Sequence, residues 1–550
     1  MRWIRNGKFL LVITIGLAYS AWGQGGSSQA GRGAATQQAG AAGRGARAGG
    51  GGGAGAGDFY NYDAAAGAGM AIPDVPPAET HQKITIDGQA LAYTVRVGYM
   101  PLRNGTTGQS EAHLFFTSYA KDGVSDASAR PVMFFLGGAP GVAASWQEFG
   151  GLGPKQMKWV SDGTAGLPPY GWADNPSTLL NQADLVFVNP EGTAFSRPDQ
   201  PSRGPNFWNT ATDIASLGEF VRSFINTYDR RNSPLFLAGE DFGTGRAAGL
   251  ASYLDEHQIP VHGVVLLSMT PAADAIAGDG QYITLLPSLI MAAWYHKKLA
   301  PELNALGAEQ IAEQARQFAA REYLHALYKG DRMTPEERTK VVADLSRLTG
   351  LSKAFIVNNN LRITLDRFNG ELLRDQHLAL SNSDARVAGY VPAVTGGGRG
   401  GGGFAGAPAV SPIDYNLSNL AGGFLTAYET YLRRELNFGG NSNGIFYLLS
   451  GGIGTFTSTG NDDATLAGAF ARNRHLHLFV SVNYFDLNLP FYATEFTLAH
   501  LNVSPEARAH NVTVSHFEAG QMTYVDNKAL AILHADLSKF INETMSSGRQ

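Results

Sequence analysis

The stretch from Ser233 to Ala251 has the order of residues that lifts one side chain above a sharp turn. An apolar strand predicted over Pro234 to Ala238 runs into Gly239-Glu-Asp-Phe-Gly, and a helix rich in small residues follows. The two glycines give room for a strained strand-to-helix turn, so Asp241 at its centre should stand where hydrolases place a nucleophile. A carboxylate needs no base to attack, which makes Asp241 a candidate nucleophile.

Four blocks of this sequence resemble, in the same order, signature blocks of the serine carboxypeptidase family, above all those of its bacterial branch. Gly239-Glu-Asp-Phe-Gly is similar to the family's Gly-Glu-Ser-Tyr-Gly or -Ala. The resemblance covers nearly everything after residue 57, and it implies an α/β-hydrolase fold and an ancestral removal of C-terminal residues from peptides. The other three blocks are Asn189-Pro-Glu-Gly-Thr-Ala-Phe-Ser-Arg, Val482-Asn-Tyr-Phe-Asp-Leu-Asn-Leu-Pro-Phe and Glu518-Ala-Gly-Gln-Met-Thr-Tyr.

The resemblance implies a triad with Asp241 at the serine position, Asp486 at the acid position and Gln521 at the histidine position. The order of nucleophile, acid and base along the chain fits the α/β-hydrolase pattern. A serine hydroxyl attacks only when a base removes its proton, and a glutamine amide lacks the basicity of imidazole. We therefore expect ordinary serine-peptidase activity to be absent or reduced by several orders of magnitude.

The resemblance also places substrate contacts in the loop after the strand predicted over Pro131 to Leu136. Gly137 replaces the family's asparagine that helps to hold the terminal carboxylate of the peptide, and Gly138 follows it in the same loop. Recognition of that carboxylate should therefore be weakened.

An oxyanion hole would be built, by the same resemblance, from the backbone N–H groups of Ala139 and Phe242. Glu240 is retained where the family uses a glutamate to bind the substrate carboxylate, but Gly151 stands where several members place its carboxyl partner. We expect Glu240 to be unpaired and to add negative charge that disfavours a C-terminal carboxylate.

Alternatives to a lost triad remain open from the sequence. Asp241 could form an ester intermediate in a hydrolase with altered chemistry, although Gln521 offers no base for the second step, and residual carboxypeptidase activity is also possible. His516, the histidine nearest to Gln521, lies on the predicted strand Val512 to Phe517 and is interpreted as an ordinary strand residue. Glu240, Asp241 and Asp486 could together attract a divalent cation, but their spacing matches no metal motif, so no metal or cofactor is predicted.

Around the candidate site, short apolar strands alternate with helical stretches. This pattern predicts the α/β class, with an α/β-hydrolase core of a mostly parallel sheet covered by helices and a helical cap insertion. The core should comprise residues 58–270 and 437–550. The insertion should comprise residues 271–436, with a glycine-rich loop at 396–406.

Composition restricts the environment and the partners. The chain has 550 residues, 44% of them hydrophobic, no cysteine, and a formal net charge of −5 without long blocks of one sign, which favours a peptide or small-molecule ligand over nucleic acid. Residues 1–23 resemble a signal peptide, with an uncleaved anchor as the alternative, and residues 24–57 form a Gly/Ala-rich tether. We expect a secreted or periplasmic protein without a membrane span after signal cleavage.

Overall fold

The computed structural model describes residues 72, 75–86, 88–138, 141–159, 165–391, 414–439, 456–457 and 462–547. The predicted signal peptide, the tether, the glycine-rich loop at 396–406 and Ala139 lie outside the described residues. The strands are β1 Ala78–Ile86, β2 Gln89–Arg103, β3 Ser110–Lys121, β4 Val132–Leu136, β5 Lys155–Met157, β6 Trp172–Asp174, β7 Asp184–Val188, β8 Arg197–Pro198, β9 Leu235–Asp241, β10 Gly263–Met269, β11 Leu378–Leu380, β12 Ala388–Tyr390, β13 His477–Asn483 and β14 Val512–Phe517. The α-helices are α1 Ser145–Gln147, α2 Thr210–Thr227, α3 Phe242–Glu256, α4 Gly280–Tyr295, α5 Pro301–Asn304, α6 Ala308–Phe318, α7 Leu324–Lys329, α8 Pro335–Thr349, α9 Lys353–Asn358, α10 Leu365–Glu371, α11 Tyr415–Arg434, α12 Asp462–Arg472, α13 Phe491–His500, α14 Pro505–His510 and α15 Asn527–Ser547.

One large sheet organises these elements. Its strand order is β1-β2-β3-β7-β4-β9-β10-β13-β14, with β8 paired to β3 at the side. The strands from β7 through β14 in that order pair in parallel, whereas β1, β2 and β3 form an antiparallel extension. The predicted α/β-hydrolase core, a mostly parallel sheet covered by helices, is confirmed.

The central strands are buried on both faces. All five residues of β4 are buried, and they alternate between two apolar clusters, one on each side of the sheet. Phe134 packs on one side, with Phe224 of α2, while Phe135 stacks with Phe187 on the other. Because both faces of such a strand are covered, its consecutive residues are all apolar. These short segments could therefore be identified as strands from the sequence.

The described part of the region between β10 and β13 is mostly helical, and it also contains β-structure that the sequence analysis did not predict. Strands β11 and β12 form a small antiparallel hairpin, with Leu378 opposite Tyr390. The helical stretch predicted over Ala308 to Leu327 comprises α6, a π-helical turn at Ala319–Tyr323 and the start of α7. None of the helices in the described part of the chain is both long enough and apolar enough to cross a bilayer.

A buried glutamate joins α11 to the core. Glu148 accepts hydrogen bonds from the hydroxyls of Tyr119 (2.6 Å) and Tyr428 (2.9 Å), and the Tyr431 hydroxyl lies 3.1 Å from that of Tyr119. Burial raises the pKa of Glu148 to about 7, although the tyrosine hydrogen bonds act in the opposite direction. The carboxyl therefore keeps its proton in the folded protein at pH values where it would ionise in the unfolded chain.

The Glu148→Gln substitution should change the pH dependence of stability. Because the pKa of Glu148 is raised in the folded state, this group contributes most to the stability of the folded protein at low pH. Its contribution falls as pH rises from about 4.5 to about 7. We expect the free energy of unfolding of the variant, relative to that of wild type, to rise by roughly 3 kcal/mol between pH 4.5 and pH 8. Urea unfolding at a series of pH values measures this difference. The exposed Glu322→Gln is the control, and parallel pH curves for wild type and Glu148→Gln would contradict the prediction.

Candidate active site

The turn between β9 and α3 has the backbone of a nucleophile elbow. Asp241 adopts φ 52° and ψ −126°, a conformation that a non-glycine residue rarely takes. A Cβ at Gly239 would overlap the carbonyl oxygen of Gly243, and a Cβ at Gly243 would lie 2.5 Å from the carbonyl oxygen of Gly137. Both glycines are therefore required by close backbone approach, and they hold Asp241 at the carboxyl end of the parallel strands.

Asp241 is partly exposed and lies beside the Phe242 backbone N–H and the Gln521 side chain. Burial raises the pKa of its carboxyl to about 6, while hydrogen bonds from the Phe242 backbone N–H and the Gln521 side chain, and the charge of Arg246, lower it in part. At neutral pH Asp241 is mostly a carboxylate. The Phe242 N–H, assigned to the oxyanion hole by resemblance, thus lies close to the side chain at the nucleophile position.

Gln521 lies on a loop whose backbone is fixed by buried polar groups. Its N–H donates to the carbonyl of Ser383 at 2.7 Å, and its carbonyl accepts from the Ser268 hydroxyl at 2.9 Å. Its side-chain oxygen accepts from the amide of Asn488 at 3.1 Å, and its side chain lies close enough to Asp241 to lower the pKa of that carboxyl. The position predicted for a base is therefore next to Asp241, but it holds an amide that cannot accept a proton at ordinary pH.

Asp486 lies beneath this loop and is fully buried. Its Oδ1 atom accepts the backbone N–H groups of Asn488 and Leu489, each at 3.0 Å, and its Oδ2 atom has no hydrogen-bond partner among the described residues. Burial raises its pKa well above the usual value, and the charge of Asp241 adds to the increase. Asp486 is close to Asp241, as the sequence predicts, but its hydrogen bonds go to Asn488 and Leu489 and not to Gln521.

The expectation that Glu240 is unpaired is wrong. The Tyr524 hydroxyl donates to Glu240 Oε2 at 2.7 Å, the Tyr524 ring occupies space that Gly150 leaves open, and the Tyr524 Cβ and carbonyl oxygen lie against Gly151. Burial raises the pKa of Glu240 to about 8, the tyrosine hydrogen bond lowers it, and the charge of Asp241 raises it further. Glu240 is therefore mainly protonated at neutral pH and adds little negative charge.

The substrate-loop glycines are fixed by a buried ion pair. Arg246 and Asp213 are 2% and 3% exposed, and the Arg246 Nε atom donates to Asp213 at 2.6 Å. The Arg246 Nη1 atom also donates to the carbonyl oxygens of Gly137 and Gly138. A Cβ at Gly137 would overlap the carbonyl oxygen of Val142, so this backbone leaves no room for the family's asparagine.

The histidine nearest in sequence to Gln521 points to a different cluster. His516 Nε2 lies 2.7 Å from Glu495 Oε1, and its ring stacks on Tyr484 with centroids 5.7 Å apart. Glu495 is in turn bound by Arg316 of α6. His516 therefore takes part in an ion-pair cluster between α6, α13 and β14. No group of three or more His, Asp or Glu side chains in the described part of the chain is placed to hold a metal ion.

Sequence reasoning missed the residues that support the site. Tyr524 and Asn488 fall inside the quoted blocks, and Arg246 falls inside the elbow stretch, so their positions were visible but their contacts were not. Each contact joins segments that are distant in sequence, such as Glu240 and Tyr524. Spacing alone gives no signal for such pairs.

Comparisons with known proteins relate part of the chain to serine carboxypeptidases and the fold to one solved member of that group. Residues 87–260 match the profile of the serine carboxypeptidase family. The carboxypeptidase Y homolog of Arthroderma benhamiae is 26% identical over 191 residues, which cover 34% of this chain and 35% of that protein, so the chain spans about a third of the length of this relative. The structure of Kex1(delta)p, a prohormone-processing carboxypeptidase from Saccharomyces cerevisiae, has a similar fold, with a TM-score of 0.50, 13% identity and coverage of 82% of this chain and 91% of that one.

Proposed function

We propose that the chain, which belongs to the serine carboxypeptidase family, has lost ordinary serine-peptidase catalysis and binds a peptide or small-molecule ligand in the cleft above its elbow. The observation that carries this proposal is the pairing at the elbow. Asp241 stands at the nucleophile position and lies beside Gln521, which occupies the position of the base. A carboxylate and an amide do not form a hydroxyl–imidazole pair, so the proton transfer that activates a serine has neither donor nor acceptor here.

Retention of the rest of the site supports binding over complete decay. The Asp241 backbone keeps its strained conformation, which persists only when the surrounding structure holds it. The Gln521 loop is fixed by Ser383 and Ser268, and Tyr524 satisfies Glu240. A scaffold this ordered, around a partly exposed carboxylate, is suited to ligand binding.

The test is hydrolysis of blocked dipeptides and simple esters from acid to neutral pH. We expect turnover near background by wild type, which lacks both members of the hydroxyl–imidazole pair, and by Asp241→Ser and Gln521→His, each of which lacks one. The double variant Asp241→Ser, Gln521→His should exceed either single variant by about 100-fold or more, the usual contribution of a positioned general base. Turnover by wild type that is lost in Asp241→Ala would overturn the proposal.

A second candidate is a hydrolase in which Asp241 is itself the nucleophile. It is favoured by the elbow conformation and partial exposure of a carboxylate that is ionised at neutral pH. The candidate requires an alkyl ester on Asp241, which forms when the carboxylate opens an epoxide or displaces halide from a haloalkane, so incubation with epoxides and haloalkanes followed by intact-mass measurement would detect the added alkyl group. Asp241→Asn is the control for labelling elsewhere on the chain.

We also propose that the protein acts outside the cytoplasm, secreted or periplasmic, on ligands other than nucleic acid. The charged N-terminal residues followed by a short apolar run support export. The formal net charge of −5 supports the second part of the proposal, because phosphate backbones are bound by basic surfaces.

A further inference from the structure

We infer that a cavity at the amino ends of the parallel strands is a further binding site, and that it takes an uncharged, hydroxyl-rich ligand, a sugar. The cavity has a volume of about 740 Å³, within the range of about 300–1,000 Å³ that is usual for small-molecule sites. Residues within 124–128, 225–235 and 258–262 line it, next to the starts of β4, β9 and β10. Because β9 is seven residues long, the cavity lies roughly 20 Å from the elbow at the other end of that strand. The inference therefore goes beyond the proposed function and does not depend on it.

Buried polar groups fix the walls of this cavity. Arg230 is 6% exposed, and its Nε atom donates to the Ser233 hydroxyl at 2.8 Å. That hydroxyl donates in turn to the carbonyl oxygen of Ala127 at 3.0 Å, so two of the lining segments are joined. Arg230 also donates to the carbonyl oxygen of Arg130 at 2.8 Å, and Asp184 neutralises its charge. The cavity is therefore part of the fold itself, as small-molecule sites usually are.

The lining combines apolar and polar surface. Three of the buried side chains that line the cavity are apolar, those of Ile225, Leu235 and Ile259. Asn232 and Gln258 line it from exposed positions, and their amide groups have no hydrogen-bond partner among the described residues. A sugar has the complementary surface, because its ring carries apolar C–H groups and its hydroxyls both donate and accept hydrogen bonds.

The charges of the lining are close to balanced. Two carboxylates, those of Asp126 and Asp229, are accompanied by the guanidinium of Arg231. Asp126 accepts hydrogen bonds from the backbone N–H and the hydroxyl of Ser128, at 2.9 and 2.6 Å, and Arg231 donates to Asn226 at 3.0 Å. Since neither sign dominates and part of each charge is already paired, the lining favours an uncharged ligand over an anion or a cation.

His262 adds a hydrogen-bond donor to the lining. Its Nδ1 atom accepts the backbone N–H of Leu235 at 3.3 Å, so the hydrogen of the neutral ring is on Nε2. Burial lowers the pKa of His262, and the charge of His475 lowers it further, so the ring is neutral at pH 7. A hydroxyl can accept from Nε2 and can pair with both ends of an amide, whereas an ammonium group cannot accept and a carboxylate cannot donate.

Gln258 allows the contribution of its side chain to binding to be separated from stability. It follows the end of α3 with φ 62°, and the next residue, Ile259, donates its N–H to the carbonyl of Leu254 at 2.8 Å. Helices commonly place glycine at this left-handed position, so Gln258→Gly should stabilise the fold while it removes the amide from the cavity. Asn437, exposed after α11 with φ 54° and outside the cavity lining, is the matched control.

A set of sugars tests both the ligand class and its charge. D-glucose, D-galactose and D-mannose are uncharged, whereas D-glucosamine and D-glucuronate each add one charge to the glucose skeleton. Maltotriose distinguishes a sugar chain from a free sugar as the source of the ligand. Binding to the full chain is measured by isothermal titration calorimetry at pH 7 for wild type, Gln258→Gly, Asn232→Ala and Asn437→Gly, and urea unfolding is measured for each.

We expect at least one neutral sugar to bind, and both charged sugars to bind more weakly. Gln258→Gly should raise the urea midpoint yet lower the affinity about fivefold, the usual effect of losing one hydrogen bond, and Asn232→Ala should lower the affinity by a similar factor. Asn437→Gly should raise the urea midpoint and bind like wild type. Tighter binding of maltotriose than of glucose identifies a sugar chain as the ligand, and equal or weaker binding identifies a free sugar.

Three results would overturn the inference. These are binding of no neutral sugar, preference for glucosamine or glucuronate, and unchanged affinity in both Gln258→Gly and Asn232→Ala. None of them bears on the cleft above the elbow, which is tested separately by the hydrolysis of dipeptides and esters.

Discussion

Replacing Arg246 by methionine is expected to lower the free energy of unfolding by about 3–5 kcal/mol, the usual cost of removing one partner of a buried ion pair. Asp213 would be left 3% exposed without its counter-charge, and the carbonyl oxygens of Gly137 and Gly138 would lose their donor. Methionine keeps much of the side-chain volume of arginine. The loss of stability is therefore due to the missing charge and hydrogen bonds more than to changed packing.

The pH dependence of this loss identifies its cause. Burial already raises the pKa of Asp213 while Arg246 lowers it, so without the arginine the carboxyl should take up a proton more readily. The destabilisation measured by urea unfolding should therefore be smaller at pH 5 than at pH 8. Arg222→Met is the matched control, because its partner Glu219 is at the surface and such pairs contribute about 0–1 kcal/mol. A loss below about 1 kcal/mol for Arg246→Met, or one that does not vary with pH, would contradict this account.

The second large effect is expected for Gly239→Ala. The added methyl group would overlap the carbonyl oxygen of Gly243, and the backbone cannot move away easily because Gly239 is paired with Leu136 on one side and Leu266 on the other. We expect the free energy of unfolding to fall by about 4 kcal/mol or more, as is typical of a severe steric conflict. The soluble yield should fall as well.

The same chemical change at Gly422 provides the comparison. Gly422 lies on an exposed face of α11, and a Cβ there meets nothing within 4 Å. Gly422→Ala should stabilise the protein by up to about 1 kcal/mol, the difference in helix propensity. If both variants unfold at the same urea concentration, close approach at the elbow is not what requires Gly239.

The fold could be predicted because its signals are local. Strands such as β4 and β9 are buried on both faces and therefore stand out as short apolar runs between turn residues. The hairpin of β11 and β12 gave no such signal, since three-residue strands are too short to show a period and are defined by pairing across a turn.

The site could be predicted in position but not in its contacts. The order of blocks brought Asp241, Asp486 and Gln521 to one edge of the sheet, because carboxyl ends of parallel strands meet there. The sequence offered no means of seeing that Tyr524 reaches Glu240, because that contact depends on space left by a distant pair of glycines. The protonation state of Glu240 could not be predicted from the sequence either. Its pKa is raised mainly by burial, which only the fold determines.

The position of Tyr524 has a consequence for the evolutionary history of the protein. The Cβ of a glutamate introduced at position 151 would lie 2.8 Å from the Cβ and the carbonyl oxygen of Tyr524, so the glutamate does not fit while the tyrosine stays in place. Removing the tyrosine first would leave Glu240 without its donor and open a cavity in the core. Each of these changes alone is thus expected to destabilise the fold, so positions 151 and 524 constrain each other and a paired-carboxyl site would require both to change together.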